Sequence, residues 1–309
     1  MKRFDTTTAV LMLAVAGIGV FIYLAGRSMS GDRPPPAPAT VPAQQERSPQ
    51  GAGIESRKSK QLISSFEQDV TLEPYFPGEC VFNGLGWNEV FKEKGESFSI
   101  YSRAYKPGSA IKSIRVIPLD IDSTADRSII EDLRAFLQTA FSSPVSIQEN
   151  ITIPAGCYNE KRGQYDANDI LTKLMQNPWV HTQTNLNVVI MKDDLFAPDL
   201  NFVFGYADYV HHIAVLSVSR MKAKSRVLTL KRIFKIARHE VSHMYGLVHC
   251  TSPFCIMRGV NNLEELDAST LSMCNGCASK MAWRLGDDGV KRSDKLKALY
   301  LARFPELFQ

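Results

Sequence analysis

His239-Glu240-Val241-Ser242-His243-Met244-Tyr245-Gly246-Leu247-Val248-His249-Cys250 is the stretch from which the rest of the chain can be read. His239 and His243 stand four apart, so on a helix their imidazoles leave one face, one turn above the other. Two rings held in that way can both reach one Zn²⁺ at roughly 2.0–2.1 Å. Glu240 follows the first histidine, about 100° further round a helix of ~3.6 residues per turn, and borders the metal without facing it. A carboxylate there can take a proton from a metal-bound water. Gly246 lets the chain leave the helix through a conformation other residues avoid, and the turn returns His249 as a third imidazole. Three protein ligands leave a fourth position open, which is the arrangement of a catalytic rather than a structural zinc.

A single His-x-x-x-His pair is common on ordinary helices. The complete spacing His-Glu-x-x-His-x-x-Gly-x-x-His is the extended zinc pattern of the metzincins, and every fixed position of it is present.

The cysteines give a second signal. Of six, Cys250 follows the last histidine directly, and Cys255, Cys274 and Cys277 come after it. A Cys-x4-Cys…Cys-x2-Cys set has the loop sizes that let four thiolates close a tetrahedron around a second, structural Zn²⁺. Two disulfides are the other reading, which an exported protein would permit. Cys80 and Cys157 stand apart, as buried thiols or as one disulfide.

The 309 residues carry a net charge of +4 and 44% hydrophobic content, enough for a real core and too little charge to argue for a nucleic-acid partner. Behind Met1-Lys2-Arg3, the run Ala9 to Ala25 has no charge and approaches the ~17–20 residues that cross a bilayer. Residues 1–27 therefore read as one N-terminal transmembrane or signal-anchor helix, with a cleaved signal peptide as the rival, since a basic start and an apolar centre suit both. Lys2 and Arg3 bias the N-terminus to the cytoplasm, leaving a membrane-anchored catalytic domain on the extracytoplasmic side. Residues 28–58, with Arg33-Pro34-Pro35-Pro36-Ala37-Pro38, read as an extended Pro-rich linker, and 59–309 as the globular domain, expected to be a monomer.

Within that domain strands are expected at 113–119, 145–147, 187–191, 201–205 and 213–218. Helices are expected at 126–140, 165–175 and 226–245. On the last, Leu230, Ile233, Phe234, Ala237, Val241 and Met244 form an apolar stripe opposite the histidines. Trp87 and Phe98 are expected to help the core. Alternation of strand and helix, then helices to the end, indicates an α+β fold of three layers around one mixed sheet. The pair His211-His212 is placed on a strand, pointing to opposite faces, as rim or surface residues, and His181 in a loop.

His239 through Cys250, then Cys255-Ile256-Met257, then sixteen residues to Cys274-x-x-Cys277, resemble the archaemetzincin (archaelysin) family, whose last gap is about one residue longer. Asp193 through Ala207, Ala214 through Arg220 and Arg162 through Ala167 resemble it too, so the likeness covers roughly 112–285. The N-terminal span and linker are not part of the family's pattern. The resemblance implies a zincin-like (metzincin) catalytic domain that hydrolyses peptide bonds, with Met257 as the Met-turn residue under the histidines. It also implies that Gly205–Ser219 rims a cleft where a peptide or protein substrate pairs by strand addition. His239, His243 and His249 then hold the catalytic zinc, Glu240 is the general base, and Cys250, Cys255, Cys274 and Cys277 hold the structural zinc. The rival readings are a zinc-stabilised peptide-binding module without hydrolysis and a tethered structural protein. A base beside an open metal position argues against both.

Overall fold

The computed structural model describes residues 86–180 and 184–305, and the backbone of residues 22–26. In chain order the elements are β1 (Ile22–Gly26), α1 (Trp87–Phe91), α2 (Phe98–Ala104), β2 (Ser113–Leu119), α3 (Thr124–Phe141), β3 (Val145–Ile147), β4 (Tyr158–Asn159) and β5 (Gln164–Asp166). Then follow α4 (Ala167–Leu174), β6 (Asn185–Met191), β7 (Leu195–Phe196), β8 (Phe202–Asp208), β9 (Ile213–Ser217), α5 (Arg226–Met244), α6 (Leu263–Ala268), α7 (Asn275–Leu285) and α8 (Gly289–Arg303).

The strands make one mixed sheet in the order β3-β2-β6-β9-β8-β7-β5-β4, with β1 added on β8. Strands β3, β2, β6 and β9 run parallel, whereas β8 is antiparallel to β9. All seven residues of β6 are buried, as a parallel strand covered on both faces requires. Alternate residues serve two cores. Ile114, Val116, Leu186, Val188, Ala214 and Leu216 face α3 and α5, while Ile117, Leu119, Val189, Met191 and Val215 face α4. Helix α3 begins where the Ser123 side chain accepts from the Asp126 amide. It packs on α5 through Phe136 and Phe234, stacked at 4.2 Å.

Helix α4 starts two residues later than the apolar spacing suggests. Gln164–Asp166 is taken up as β5, and the Asp166 side chain caps the helix by accepting from the amides of Asn168 and Asp169. Trp87 is buried as expected, and Phe98 is partly buried against the core.

One expectation needs correction. Helix α5 is not apolar on one side only, since every residue from Arg232 to Met244 is buried. Its cations are absorbed by the layer outside it. Arg232 pairs with Asp267 at 2.6 Å, Lys235 Nζ donates to the Leu266 carbonyl at 2.9 Å, and Arg238 donates to the Leu271 carbonyl at 2.7 Å. The helix therefore lies between sheet and C-terminal segments, with charged ends tied to backbone.

The expected N-terminal span lies mostly outside the described residues. Its described end is strand, not helix: Ile22–Gly26 pairs antiparallel with β8, Leu24 opposite Gly205 and Ala25 opposite Val203. A free sheet edge presents unpaired amides and carbonyls, and Ile22 and Tyr23 are good strand formers. No helix among the described residues is long and apolar enough to cross a membrane.

Candidate active site

Helix α5 carries His239 and His243 to its C-terminal end, one turn apart, beneath the sheet. Gly246 then takes φ of 91°, open to glycine without strain, and the chain turns back to His249. The three imidazoles are buried, and their ligand nitrogens lie within 4.8 Å of one another.

Each ring is held by its other nitrogen. His239 Nδ1 donates to the Ile256 carbonyl at 2.7 Å, and His243 Nδ1 to the Leu247 carbonyl at 2.6 Å. His249 Nδ1 lies 2.8 and 2.9 Å from the two carboxylate oxygens of Glu93. Carbonyls and carboxylates only accept, so each Nδ1 carries a proton, and on a neutral His239 or His243 ring the lone pair is left on Nε2. Burial, reinforced by the neighbouring imidazoles, pushes His239 and His243 well below the usual imidazole range, which keeps both neutral, as a metal ligand must be.

The residues fit a metal. His239 Nε2 and His243 Nε2 face each other at 2.7 Å, two lone pairs that repel unless a cation lies between them. His249 Nε2 is buried with no protein partner. Both oxygens of Glu240, fully buried next to His239, are likewise without one. Burial alone pushes the Glu240 carboxyl well above the usual carboxylate range. The carboxylate has room because β8 passes it at Gly205, where a Cβ would sit 2.7 Å from Glu240 Oε1.

The four cysteines converge separately, their sulfurs within 4.8 Å of one another and none in a disulfide. Cys250 and Cys274 Sγ are 3.7 Å apart, close to the edge of a tetrahedron with ~2.3 Å Zn–S bonds. Cys274 stands at the N-cap of α7 and Cys277 in its first turn, which explains the two-residue gap. Two disulfides, the alternative open from spacing, are not formed. Met257 is fully buried in the turn whose Ile256 carbonyl holds His239, and its own carbonyl accepts from the Cys250 amide at 2.8 Å.

His211 and His212 are not on a strand. They sit in the tight turn between β8 and β9, His211 bound to Asp208 at 2.6 Å and His212 at φ 56°, and neither joins the cluster of His239, His243 and His249. Cys157 is a buried free thiol; Cys80 and His181 lie outside the described residues. Glu93 escapes sequence reading altogether, as one charge in Lys92-Glu93-Lys94, which reads as a solvated run. Gly205 was expected on the rim, but its contact with Glu240 arises only because α5 passes under it.

Three imidazoles converging on one point, beside a buried carboxyl group without a protein partner, make chemical sense together around a metal that activates water. The class this defines is the zinc-dependent metallopeptidases. A model of peptidase family M54 matches residues 126–283, half of the chain, and the protein belongs to that family. Archaemetzincin of Archaeoglobus fulgidus is 32% identical over 170 residues, 55% of this chain and 99% of that one. Archaemetzincin of Methanopyrus kandleri is 33% identical over 137 residues, 44% of this chain and 77% of that one. Among solved structures, archaemetzincin from A. fulgidus complexed with malonate has a TM-score of 0.48 at 32% identity, covering 54% of this chain and 99% of that one. A zinc-dependent peptidase from Methanocorpusculum labreanum has 0.49 at 26% identity, covering 55% and 100%.

Proposed function

We propose that His239, His243 and His249 hold a catalytic zinc through Nε2, that Glu240 is the general base for peptide-bond hydrolysis, and that the four cysteines hold a second, structural zinc. The observation that carries the reading is the Glu240 carboxylate, buried and unpartnered beside three converging imidazoles. Burying it there without a cation costs free energy, and a purely structural site gains nothing from it.

Zinc held by the histidines would polarise the scissile carbonyl and acidify a water. The remaining work falls to the chain. Glu240 takes the proton from the attacking water and passes it to the leaving amine. Its apolar surroundings keep the carboxyl basic enough to do both. The substrate backbone adds as an antiparallel strand to the edge of β8 that β1 also takes, which brings the peptide past Gly205 and so past Glu240. The cysteine cluster has four equivalent ligands and no carboxylate within the set, so it closes on its ion and fixes the loop between α5 and α7. Met257, in the turn that carries the Ile256 carbonyl, supports His239 from beneath.

Glu240→Ala tests the assignment. A protein that keeps its zinc and loses turnover on a quenched peptide library bears it out; undiminished turnover sinks it. A zinc-stabilised peptide-binding module would keep peptide affinity in the variant and show no turnover in the wild type.

A further inference from the structure

His239 and His243 are oriented by backbone carbonyls close to them, one in the Met257 turn and one four residues along. His249 is different. It lies off the helix, on a loop beyond Gly246, and the group that holds it is a side chain 156 residues earlier. Glu93 belongs to the segment Gly86–Gly108, which precedes the residues the family model matches.

That segment forms a strap over the third-ligand loop. Trp87 meets the His249 ring edge-on at 5.2 Å, stacks on Phe91 at 4.0 Å, and is seated against Gly259, where a Cβ would collide with the indole. The Trp87 amide donates to Glu265 Oε1 at 2.8 Å, and the Asn261 amide to Glu265 Oε2 at 2.8 Å. One buried carboxylate thus ties the strap to the loop after Met257. Asn88 donates to the Cys250 carbonyl, Glu89 pairs with Arg258, and the Tyr101 hydroxyl donates to the Tyr245 carbonyl at 2.7 Å. Lys92, at φ 50°, reverses the chain directly before Glu93. The strap thus grips the Tyr245 and Cys250 carbonyls on either side of the third ligand, and Glu93 is the group that hydrogen-bonds to its ring.

We infer that Glu93 is the positioning residue of the metal site. By accepting the proton of His249 Nδ1 it fixes the tautomer and the ring plane, so that Nε2 points at the same spot as its two partners. A carboxylate also makes the imidazole a stronger ligand than a carbonyl would. The strap is therefore part of this chain's metal centre, although it lies outside the matched family segment. The inference rests on the histidines holding zinc.

The test is the zinc dissociation constant of the full chain, by chelator competition, for wild type, Glu93→Ala, Glu93→Gln, Glu93→Asp and His243→Ala. Cobalt-substituted spectra report the ligand field independently of turnover. Glu93→Ala should weaken zinc binding about 10–100-fold. Glu93→Gln can still accept the Nδ1 proton and should recover most of the affinity, with a cobalt spectrum near wild type. A merely structural glutamate would instead lower the melting temperature of the metal-free protein and leave the zinc constant unchanged, and an unchanged constant overturns the inference. Should Glu93→Ala fail to fold, Glu93→Asp is read in its place: its shorter reach should weaken binding, and wild-type affinity again overturns the inference. If His243→Ala binds as much zinc as wild type, the failure belongs to the histidine assignment and not to Glu93.

Discussion

The two clusters between His239 and Cys277 share a peptide bond, His249 to Cys250, yet they are built on opposite plans. The histidine cluster has three imidazoles, each pinned through its second nitrogen, and a carboxylate left without a partner. The cysteine cluster has four thiols, each supplied by a loop or a helix start. On the proposed reading, what separates a reactive centre from a staple is the unsatisfied carboxylate, and the fourth protein ligand whose place is left open beside it.

Changes at each cluster should break this contrast in different ways. The largest effect is expected from Glu240→Ala, which should cut kcat by about 10²–10⁴-fold while elemental analysis finds the zinc retained. Gly205→Ala puts a methyl where the carboxylate stands. A displacement of about 1 Å should cost on the order of 10²-fold in kcat, again without loss of metal. On the other side of the comparison, Cys277→Ser should release the cysteine-bound zinc and destabilise the protein by more than ~4 kcal/mol, read as a lowered denaturant midpoint. Because Cys250 adjoins His249, the same variant should also weaken zinc at the histidines, whereas Glu240→Ala should leave the cysteine site intact. Met257→Leu keeps the volume under His239 and should cost less than ~1.5 kcal/mol, with turnover close to wild type. The smallest effect should come from removing residues 1–58, which frees the β8 edge from β1 and should raise kcat/KM on short peptides several-fold.

The convergence of the three histidines was legible because its geometry is local: residues four apart on a helix, then a glycine turn, can be read from spacing alone. The convergence of the four cysteines was legible for the same reason, and the apolar runs at 188–191 and 213–216 announced β6 and β9. What could not be read depends on partners far along the chain. Arg232, Lys235 and Arg238 look solvent-facing in sequence, yet Asp267, Leu266 and Leu271 absorb them, and so the helix is buried all round. Glu93 has no spacing to reveal it. Strands β4 and β7 are two residues each, too short for any alternation to show. The N-terminal apolar run has the length and hydropathy of a bilayer span, and nothing in its sequence announces that its end, Ile22–Gly26, pairs with a sheet edge.

Zinc per chain, determined beside peptide turnover in wild type, Glu240→Ala and His243→Ala, tests the central contrast most directly. Two ions in wild type and in Glu240→Ala, one in His243→Ala, and turnover in wild type alone is the expected result. Turnover that survives in either variant, or an unchanged zinc content in His243→Ala, would contradict it.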